Sequence, residues 1–283
     1  MRFKTSDNRH IESGLLTHLM NWLVLRMFPE QEVDWGRYAE QYDAVTVDLK
    51  PAYQRIIKMP LGDELGDLLE YTNAELICDL GAGTGNLSIP LAIKYPDSKV
   101  VHADFNQRYN DIAKGKAEKD GIDTIDFHLA DAEDVGKIQE RYGRPFDIVF
   151  MIHALYAMRS QKDMDKPNRV LKAVYESLRA DGRLCVIDIE KEMNLLHLIA
   201  DGLIAAVKKY GLKRALSLFK EMDQAKHQNA NVIRNQRDGT YITQKVDELV
   251  GMLDRAGFKE NNILYKSGFQ HYHGCDNIVV VKK

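Results

Sequence analysis

Short apolar runs alternate with helical segments in the middle of the chain, and this order limits the fold more than any other feature of the sequence. The connections between the segments are only a few residues long, and several contain Gly or Pro. Strands and helices that alternate in this way form a parallel sheet with helices on both faces. The predicted strands are Glu75–Leu80, Lys99–Asp104, Ile125–Ala130, Phe146–Ile152 and Arg183–Ile189, and the predicted helices between them are Asn86–Tyr95, Gln107–Lys119 and Lys166–Arg179.

The alternation stops after Glu190, and the rest of the chain is predicted to be helical before a final pair of strands. Thr243 is a candidate N-cap for the last helix, which Gly257 would end. The short connection through His271 and His273 predicts an antiparallel hairpin that completes the sheet. The polar stretch Asn229–Gly239 is predicted to be a surface turn, and a clamp on an anionic substrate is the alternative interpretation. The predicted helices are Met193–Tyr210, Lys213–Ala230 and Gln244–Ala256, and the last predicted strands are Asn262–Phe269 and Asn277–Val281.

Charge and cysteine content narrow the function classes. The chain has 283 residues, with 39 Lys and Arg against 42 Asp and Glu, so its net charge at pH 7 is −3. A nucleic-acid binder normally carries a basic domain or stripe, so we expect no nucleic-acid partner. Cys78, Cys185 and Cys275 are too scattered for a disulfide framework or a zinc motif, which favours a cytoplasmic protein. His271 and His273 lack a nearby carboxylate or Cys partner in the sequence, so we predict no metal site.

The length predicts one large domain with additions. We expect a helical cap over residues 1–60 and a core domain over residues 61–283, with a helical lid inserted at about 191–241. The run Leu15–Phe28 is too short to span a bilayer, which takes about 20 apolar residues. An amphipathic helix that packs on the domain or on a partner subunit is expected there, and a homodimer through this helix is one such arrangement.

A glycine-rich turn, Asp79–Asn86 (DLGAGTGN), joins the first predicted strand to the first predicted helix. Its glycines allow a tight turn and let backbone N–H groups approach a ligand closely. The turn lies at the carboxyl end of a strand, where an open α/β sheet binds its ligand. The glycine spacing is G-x-G-x-G, which differs from the G-x-G-x-x-G of dinucleotide sites. No Lys-Ser/Thr pair follows, so the turn is not a P-loop.

Acids follow at the ends of the next two predicted strands. Asp104 ends the second strand, where a carboxylate can accept hydrogen bonds from both hydroxyls of a ribose. Asp131 follows the third strand, where it can accept a hydrogen bond from an adenine amine while the N–H of Ala132 donates to a ring nitrogen. A turn residue or an N-cap is a second interpretation of Asp131. Together with Asp79, these residues predict a pocket for an adenosyl group that carries a positive charge and no phosphates.

On these residues the chain resembles the class I S-adenosylmethionine (SAM) dependent methyltransferases, over about Glu75 to Ile189 and more loosely over the last two strands. Asp147 in the fourth strand and His153 after it continue the pattern. The resemblance implies an α/β, Rossmann-like fold with a seven-stranded mixed sheet in the order 3-2-1-4-5-7-6, in which only strand 7 is antiparallel. Helices cover both faces, with helical cap and lid additions. SAM is the implied cofactor.

The resemblance also implies how SAM would be held. Gly81, Ala82 and Gly83 would line its methionine part, and Asp79 would hold the ammonium end. Asp104 would bind the ribose, with Phe105 beside the adenine. The residues implied to bind the cofactor are Asp79, Gly81, Ala82, Gly83, Gly85, Asp104, Phe105, Asp131, Ala132, His153 and Tyr38.

Aromatic and basic residues outside the glycine turn are candidates for the acceptor side. Tyr38 and Tyr42 lie one helical turn apart and share a face, so they would cover the sulfonium or form an aromatic stripe on the core. His153 or Tyr156 is the candidate general base. The candidate catalytic residues are His153, Tyr156 and Tyr42, and the candidate substrate contacts are Tyr38, Tyr42, Tyr156, Arg159, Arg234 and Tyr241.

The predicted function is transfer of the SAM methyl group to a small-molecule acceptor in an enclosed pocket. One alternative is attack on another sulfonium carbon, by aminocarboxypropyl transfer or cyclisation of SAM, which releases methylthioadenosine. Another is a SAM-binding partner subunit without turnover, and a third is a lipid-headgroup enzyme that uses Leu15–Phe28 at a membrane surface. The sequence leaves the acceptor, and the atom that is modified, open.

Overall fold

The structure is a computed structural model that describes residues 15–32, 35–43, 51–69, 74–192, 194–268 and 276–283. His271, His273 and Cys275 lie outside the described residues, and so does the predicted hairpin connection. The strands are β1 Leu76–Leu80, β2 Lys99–Asp104, β3 Ile125–Leu129, β4 Phe146–Ile152, β5 Leu178–Ile189, β6 Ile263–Gly268 and β7 Asp276–Lys282. The helices are α1 Leu15–Met27, α2 Trp35–Asp43, α3 Pro51–Lys58, α4 Asp63–Leu69, α5 Ser88–Lys94, α6 Gln107–Lys119, α7 Val135–Glu140, α8 Leu155–Met158, α9 Lys166–Ser177, α10 Leu195–Tyr210, α11 Leu212–Glu221, α12 Asp223–Asp238 and α13 Val246–Ala256.

The strands form one seven-stranded sheet in the order β3-β2-β1-β4-β5-β7-β6, which confirms the predicted fold. β1 to β5 are parallel, and β7 runs antiparallel to both β5 and β6. The chain moves outward from β1 in one direction through β2 and β3, and in the other through β4 and β5. This reversal between β1 and β4 is the topological switch point at which open α/β sheets bind ligands.

Apolar cores cover both faces of the sheet, because alternate residues of each strand point to opposite sides. In β4, Ile148 and Phe150 pack into one core, and Val149 and Met151 into the other. All seven residues of β4 are buried, as expected for a central parallel strand. Cys78 and Cys185 are free and buried within these cores.

Several predicted boundaries differ from the structure. β5 begins at Leu178 and runs through the Asp181-Gly182 pair, which was predicted to stop the preceding helix. The polar stretch predicted as a turn belongs to α12, whose buried stripe includes Gln228, Val232 and Gln236 at a spacing of four. Two of these buried side chains are amides, so the hydrophobic pattern conceals the helix. The helix predicted over 213–230 is also broken into α11 and α12 at Met222.

The start of α13 also differs from the prediction. Lys245 is the N-cap residue, and Thr243 lies outside the helix. The buried Gln244 before it is fixed by β7, because Asn277 Nδ2 donates to the Gln244 carbonyl at 2.7 Å. This contact draws the segment towards the sheet and delays the helix by two residues relative to the prediction.

Helices from the two ends of the sequence meet above the carboxyl end of the sheet. α2 packs against α6 and α12, and α1 packs against α10 and α12. Gln41 of α2 donates to the Glu221 carbonyl at 2.9 Å and to Asp223 at 3.0 Å, and it accepts a hydrogen bond from the Ala225 N–H at 3.1 Å. The predicted cap and lid segments are therefore fastened to each other.

A buried polar network anchors α1. Glu192 accepts hydrogen bonds from Asn21 at 2.7 Å and from Arg237 at 2.6 Å. The outer face of α1 exposes Leu19 and Trp22, and the homodimer through this helix stays a prediction. Within the described part of the chain, no helix has both the length and the apolar character needed to cross a bilayer.

Candidate active site

The glycine turn wraps around the carboxyl end of β1. The N–H groups of Gly81 and Ala82 donate to the Ala103 carbonyl of β2 at 2.8 and 3.1 Å. Gly81 has a φ of +78°, and a Cβ at this position would come within 2.9 Å of the Cβ of Ala154. Glycine is therefore required here both by the backbone conformation and by the approach of the segment after β4.

Gly83 differs from Gly81, because a Cβ built on it meets nothing within 4 Å although its φ is +58°. Its hydrogen atoms face open space in a large cavity. The open position is a cradle that a side chain would fill, and it fits the close approach of a ligand to the backbone.

We expect Gly83→Ala to weaken SAM binding at least tenfold, because the added methyl group would occupy ligand space. Gly121→Ala is the matched control, since Gly121 has a φ of +69° and equally open surroundings, but it lies in the turn after α6. Both variants should lose about 1 kcal/mol of stability through left-handed backbone strain. Calorimetric titration with SAM separates the two effects, and equal SAM affinities in both variants would contradict the prediction.

Asp104 links β2 to the glycine turn. One carboxylate oxygen accepts the Gly83 N–H at 2.9 Å, and the other accepts the Asn106 N–H at 2.8 Å. The side chain is buried, which raises its pKa, while these two hydrogen bonds act in the opposite direction. Each oxygen retains a lone pair, so the carboxylate can accept further hydrogen bonds from vicinal hydroxyls.

Asp79 lies at the floor of the same cavity, at the switch point. Its carboxylate accepts a hydrogen bond from the Ser88 hydroxyl at 2.6 Å, and the same hydroxyl is 2.9 Å from Nδ1 of His102. Burial raises the pKa of Asp79 to about 7, Ser88 opposes this rise, and Asp104 adds to it. Among the described residues no Lys or Arg pairs with Asp79, so a ligand cation beside it would favour its ionised form.

Asp131 occupies the other end of the cavity. It accepts the Glu133 N–H as the N-cap of a short 3-10 turn, and Lys166 Nζ lies 2.7 Å from its second oxygen. Burial alone would raise its pKa, but the hydrogen bonds from Lys166 and Glu133 outweigh burial and lower the pKa. Phe105 is largely exposed beside it and lines the same space. The N-cap interpretation of Asp131 thus holds without excluding an adenine contact.

These groups share one cavity of about 810 Å³ that runs along the carboxyl ends of β1, β2 and β4. This volume lies within the usual range for small-molecule sites of roughly 300–1,000 Å³. The predicted site residues that line it are Asp79, Gly81, Ala82, Gly83, Asp104, Phe105, Asp131, Ala132, His153, Tyr38, Tyr42, Tyr156 and Tyr241. Gly85 instead faces a neighbouring groove, beside Ile89 and Lys116.

The C-terminal end of α2 is tied directly to the glycine turn. Asp43 accepts a hydrogen bond from Thr84 Oγ1 at 2.5 Å and forms an ion pair with Lys116 at 2.9 Å. Lys116 also donates to the Asn86 side chain at 3.3 Å. α2 is therefore held against the turn and against α6, which places its tyrosines over the cavity.

Tyrosine rings form the wall opposite the glycine turn. Tyr42 lies at the centre, with ring centroids 5.6 Å from Tyr38, 6.0 Å from Tyr109 and 6.4 Å from Tyr53. The hydroxyls of Tyr42 and Tyr53 are 3.3 Å apart. Burial raises the pKa of Tyr42 to about 12, so its hydroxyl stays protonated near neutral pH and can donate a hydrogen bond.

His153 follows β4 with a φ of +51°, the only positive φ of a non-glycine residue in the described part of the chain. Its N–H donates to the Ile187 carbonyl at 2.7 Å, and its ring Nε2 is 3.2 Å from Asp276 Oδ1. The Tyr53 ring lies 5.5 Å from the imidazole. Strained backbone conformations of this kind concentrate at functional sites, where the surrounding structure maintains them.

Carboxylates surround the buried side of His153. Asp276 begins β7, and its side chain is fully buried. Asp188 at the end of β5 is also buried, which raises its pKa to about 7, while His153 lowers it. Since Asp276 engages Nε2, the imidazole is oriented by a carboxylate while its ring borders the cavity.

Tyr156 and Tyr241 meet edge to face on the same side, with ring centroids 5.5 Å apart. Burial raises the pKa of Tyr156 well above its ordinary value, with Tyr241 and Asp188 adding to the rise. A tyrosine whose hydroxyl stays protonated near neutral pH has almost no phenolate to act as a base. Of the two candidate bases, the raised pKa of Tyr156 therefore favours His153 and leaves Tyr156 as a hydrogen-bond donor.

Three predicted residues lie away from the cavity. Arg159 pairs with Glu248 of α13 at 2.7 Å, so it joins the segment after α8 to α13. Arg234 donates to the Phe28 carbonyl and, at 3.1 Å, to the Leu25 carbonyl, and so fastens α12 to α1. Neither lines the cavity, because each guanidinium instead satisfies a helix contact elsewhere. Asp147 lies at the opposite end of β4, where it pairs with Arg179 at 2.8 Å.

Sequence reasoning missed Tyr53, Tyr109 and Lys166, which line the cavity, and Asp43 and Asp276, which contact residues that line it. Asp276 is an acid at the start of an apolar strand, and the strand-end position was a usable signal. No strand-end position marks the other four residues, because they come from helices whose docking the sequence does not specify. These residues are Asp43, Tyr53, Tyr109 and Lys166.

The order of the strands defines a SAM-dependent methyltransferase, together with the glycine turn and the acids that flank it at the carboxyl ends of the strands. The chain belongs to the family described as a methyltransferase domain, which matches residues 72–257. SAM is the cofactor of this class, and the cavity residues described above fit it. The structural relatives include chains solved with bound SAM or its product S-adenosylhomocysteine.

Curated relatives differ in the share of the chain that they match. The ribosomal RNA small subunit methyltransferase G of Exiguobacterium sibiricum is 32% identical over a segment that makes up 28% of this chain. The same segment spans only 33% of the length of that protein. The mitochondrial 2-methoxy-6-polyprenyl-1,4-benzoquinol methylase of Caenorhabditis elegans is 25% identical over 69% of this chain and 66% of that protein. The carboxy-S-adenosyl-L-methionine synthase of Campylobacter jejuni is 25% identical over 86% of this chain and 93% of its own length.

Solved structures share the fold at low identity. Magnesium protoporphyrin IX methyltransferase from Synechocystis PCC 6803 superposes with a TM-score of 0.53 at 15% identity, and covers 94% of this chain and 91% of its own. The plantazolicin methyltransferase BpumL superposes with a TM-score of 0.52 at 12% identity, and covers 95% of this chain and 96% of its own. At such identities the comparison concerns the fold alone.

Proposed function

We propose that the protein transfers the methyl group of SAM to a hydroxyl group of a small, uncharged and planar acceptor. SAM supplies an activated methyl group on its sulfonium, so the chain must chiefly hold the two reactants in line and exclude water. Asp104 would bind the ribose, Asp79 the ammonium group, and Asp131 with Ala132 the adenine edge. The tyrosine wall would then face the sulfonium and the acceptor.

The observation that carries the proposal is the chemistry of the acceptor side. The wall of the cavity there contains tyrosine rings, apolar side chains, His153 and the amide of Gln228. Among the described lining residues Lys166 is the one Lys or Arg, and it pairs with Asp131 at the adenine end. An anionic acceptor would lack a counter-ion, whereas flat rings offer stacking surface and hydroxyl donors to a planar molecule.

His153 would take the proton that a hydroxyl acceptor must lose. Its buried Nε2 faces Asp276, so the proton would be accepted at Nδ1, and the resulting imidazolium would be stabilised by Asp276 across the ring. In the pH range where His153 is protonated at the start, transfer should slow. The rate is therefore expected to rise with pH on the acid side of its profile.

Two of the curated relatives bear on the acceptor. The benzoquinol methylase is named for a hydroxylated ring, which agrees with a planar acceptor. The ribosomal RNA methyltransferases match only 28–44% of this chain, so their substrate gives weak guidance here. The net charge of −3 also disfavours RNA, whose backbone binds cationic surfaces.

The test is methyl transfer from labelled SAM to a matched panel of acceptors. The panel contains a dihydroxybenzene, its carboxylated analogue, its dimethyl ether, an aromatic amine and a short RNA. We expect S-adenosylhomocysteine and a methylated product with the dihydroxybenzene, and at least tenfold less with the carboxylate and with the ether. Turnover on RNA alone, or preference for the carboxylate, would contradict the proposal.

A second candidate function is modification of SAM itself. The carboxy-S-adenosyl-L-methionine synthase is matched over 93% of its length, and its name describes a modified SAM rather than a methylated acceptor. A carboxyl donor would be an anion, and the described lining offers it no unpaired Lys or Arg. Mass analysis of the sulfur product decides between the two functions, because methyl transfer yields S-adenosylhomocysteine whereas this alternative yields a carboxylated SAM.

A further inference from the structure

Three buried polar side chains form a continuous chain beneath the glycine turn. Asp79 lies near the carboxyl end of β1, Ser88 is the first residue of α5, and His102 lies in β2. The Ser88 hydroxyl joins the other two, at 2.6 Å from Asp79 Oδ2 and 2.9 Å from His102 Nδ1. Ser88 and His102 are completely buried, and Asp79 is 3% exposed.

We propose that Ser88 and His102 are positioning residues that couple capture of the SAM ammonium group by Asp79 to the tautomer of the His102 ring. The proposal rests on the ammonium role of Asp79 in the proposed function. It does not depend on the acceptor, because it concerns only the cofactor end of the cavity.

The hydroxyl of Ser88 has one proton, so the chain has two self-consistent arrangements. When Asp79 is ionised, Ser88 donates to the carboxylate, and His102 carries its proton on Nδ1 and donates to Ser88. When Asp79 is protonated, it donates to Ser88, Ser88 donates to Nδ1, and His102 carries its proton on Nε2. The first arrangement holds one proton fewer than the second, so ionisation of Asp79 releases one proton and moves the imidazole hydrogen.

Asn110 favours the second arrangement. Its amide nitrogen donates to the backbone carbonyls of Asp104 at 3.0 Å and Asn106 at 3.3 Å, which leaves its oxygen as an acceptor. Neither Asn110 Oδ1 nor His102 Nε2 has a hydrogen-bond partner among the described residues, although the Gly83 backbone and the Asn110 side chain both act on the His102 ring. A hydrogen on Nε2 that reached Asn110 Oδ1 would give both buried atoms a partner, and this opposes the pull of an ionised Asp79 on the other nitrogen.

Burial keeps the imidazole neutral. Burial and, after it, the positive charge of Lys116 lower the pKa of His102 to about 3, although the Gly83 backbone and the Asn110 side chain act in the opposite direction. Asp79 titrates instead, since burial raises its pKa to about 7, with Asp104 adding to the rise and Ser88 opposing it. In the pH range where Asp79 titrates, His102 stays neutral and changes only its tautomer, because its hydrogen moves from one ring nitrogen to the other.

The two arrangements determine how pH and ligand binding affect each other at Asp79. A ligand ammonium favours the carboxylate, so binding at pH near 7 should expel a proton from Asp79 and convert His102 to the Nδ1–H form. Raising the pH does the same without ligand. Affinity for the cofactor should accordingly rise as the pH passes upward through about 7.

The first experiment measures the His102 tautomer by long-range nitrogen–proton correlation in histidine-labelled protein. Without ligand, raising the pH from about 5.5 to about 8.5, on either side of the Asp79 pKa of about 7, should convert Nε2–H to Nδ1–H. Addition of S-adenosylhomocysteine at the lower pH should produce the same conversion. One tautomer under all these conditions would overturn the proposal.

The second experiment compares Ser88→Ala with Ser98→Ala, a buried serine before β2 whose hydroxyl donates to the Ala74 carbonyl away from the cavity. Without the Ser88 hydroxyl, the pKa of Asp79 should rise by about one unit, as for loss of one hydrogen bond to a charged group. The Kd for S-adenosylhomocysteine should increase about tenfold at pH near 6 and less than twofold at pH near 9. The ligand amine titrates equally with both proteins and cancels in the ratio.

The outcomes separate the two proposals. If the tautomer follows pH but not ligand, Asp79 is coupled to His102 without holding the ammonium group, and the cofactor role of Asp79 fails. If the Kd ratio of Ser88→Ala is independent of pH, or equals that of Ser98→Ala, the coupling itself is wrong. The choice of acceptor affects none of these measurements.

Discussion

Replacing Asp104 by Asn should weaken SAM binding about 100-fold while the protein stays folded. The carboxylate already accepts the N–H groups of Gly83 and Asn106, and it would accept the two ribose hydroxyls through its remaining lone pairs. An amide nitrogen in place of one oxygen would face a backbone N–H and lose both its acceptor role and its charge. Hydrogen bonds to charged groups contribute about 1.5–3 kcal/mol each, so a loss of about 3 kcal/mol corresponds to about 100-fold in Kd.

Calorimetric titration with SAM measures this loss. Asp97→Asn is the matched control, because Asp97 is an exposed acid in the turn before β2 and does not line the cavity. A thermal melt of each variant checks the fold, since Asp104 also fixes the glycine turn. A Kd within threefold of the parent protein, in a variant that melts normally, would remove Asp104 from the cofactor site.

Replacing His153 by Asn should reduce the single-turnover rate by about 10²–10⁴, the usual contribution of a general base, and change SAM affinity only a few-fold. Asn is chosen because it tolerates the left-handed backbone better than Ala, and His153 has a φ of +51°. The acid limb of the pH–rate profile should disappear together with the rate, because no titrating base remains.

Asp276→Asn tests the carboxylate that orients the imidazole. The amide preserves the shape of the side chain but removes the charge behind Nε2, so we expect about a 10- to 100-fold loss of rate and a shift of the acid limb to lower pH. His197→Asn is the control, since His197 is exposed on α10. If both His153→Asn and Asp276→Asn turn over normally, the acceptor needs no base and His153 only shapes the cavity.

Most of the core could be predicted because its signals are local. Each buried parallel strand is a continuous apolar run, and each connection carries Gly, Pro or Asp. The glycine turn and the strand-end acids Asp79, Asp104 and Asp131 follow from the same pattern, since parallel strands bring their carboxyl ends to one edge. The C-terminal half of α12 was missed for the converse reason, because most residues from 231 to 238 are polar and the buried face there includes Gln236 beside Val232 and Ile233.

The acceptor side was predicted less well. Tyr38, Tyr42, Tyr156 and Tyr241 do line the cavity, but the sequence could not tell a cavity wall from an aromatic stripe in the core. The sequence does not show which residue a charged side chain will pair with in the folded protein. Arg159 was expected to contact substrate and instead pairs with Glu248, 89 positions further along the chain.

By itself, the sequence determined the parallel core, the strand order through its family resemblance, and the acids at the strand ends, because these depend on periodicity and on residues at strand ends. Only the tertiary structure decided what stands opposite them. Three contacts join residues from separate elements of the fold. They are the docking of α2 through Asp43, the pairing of His153 with Asp276 from the last strand, and the contact of Ser88 with His102. Such contacts depend on how helices and strands pack in space, which no local pattern of residues encodes.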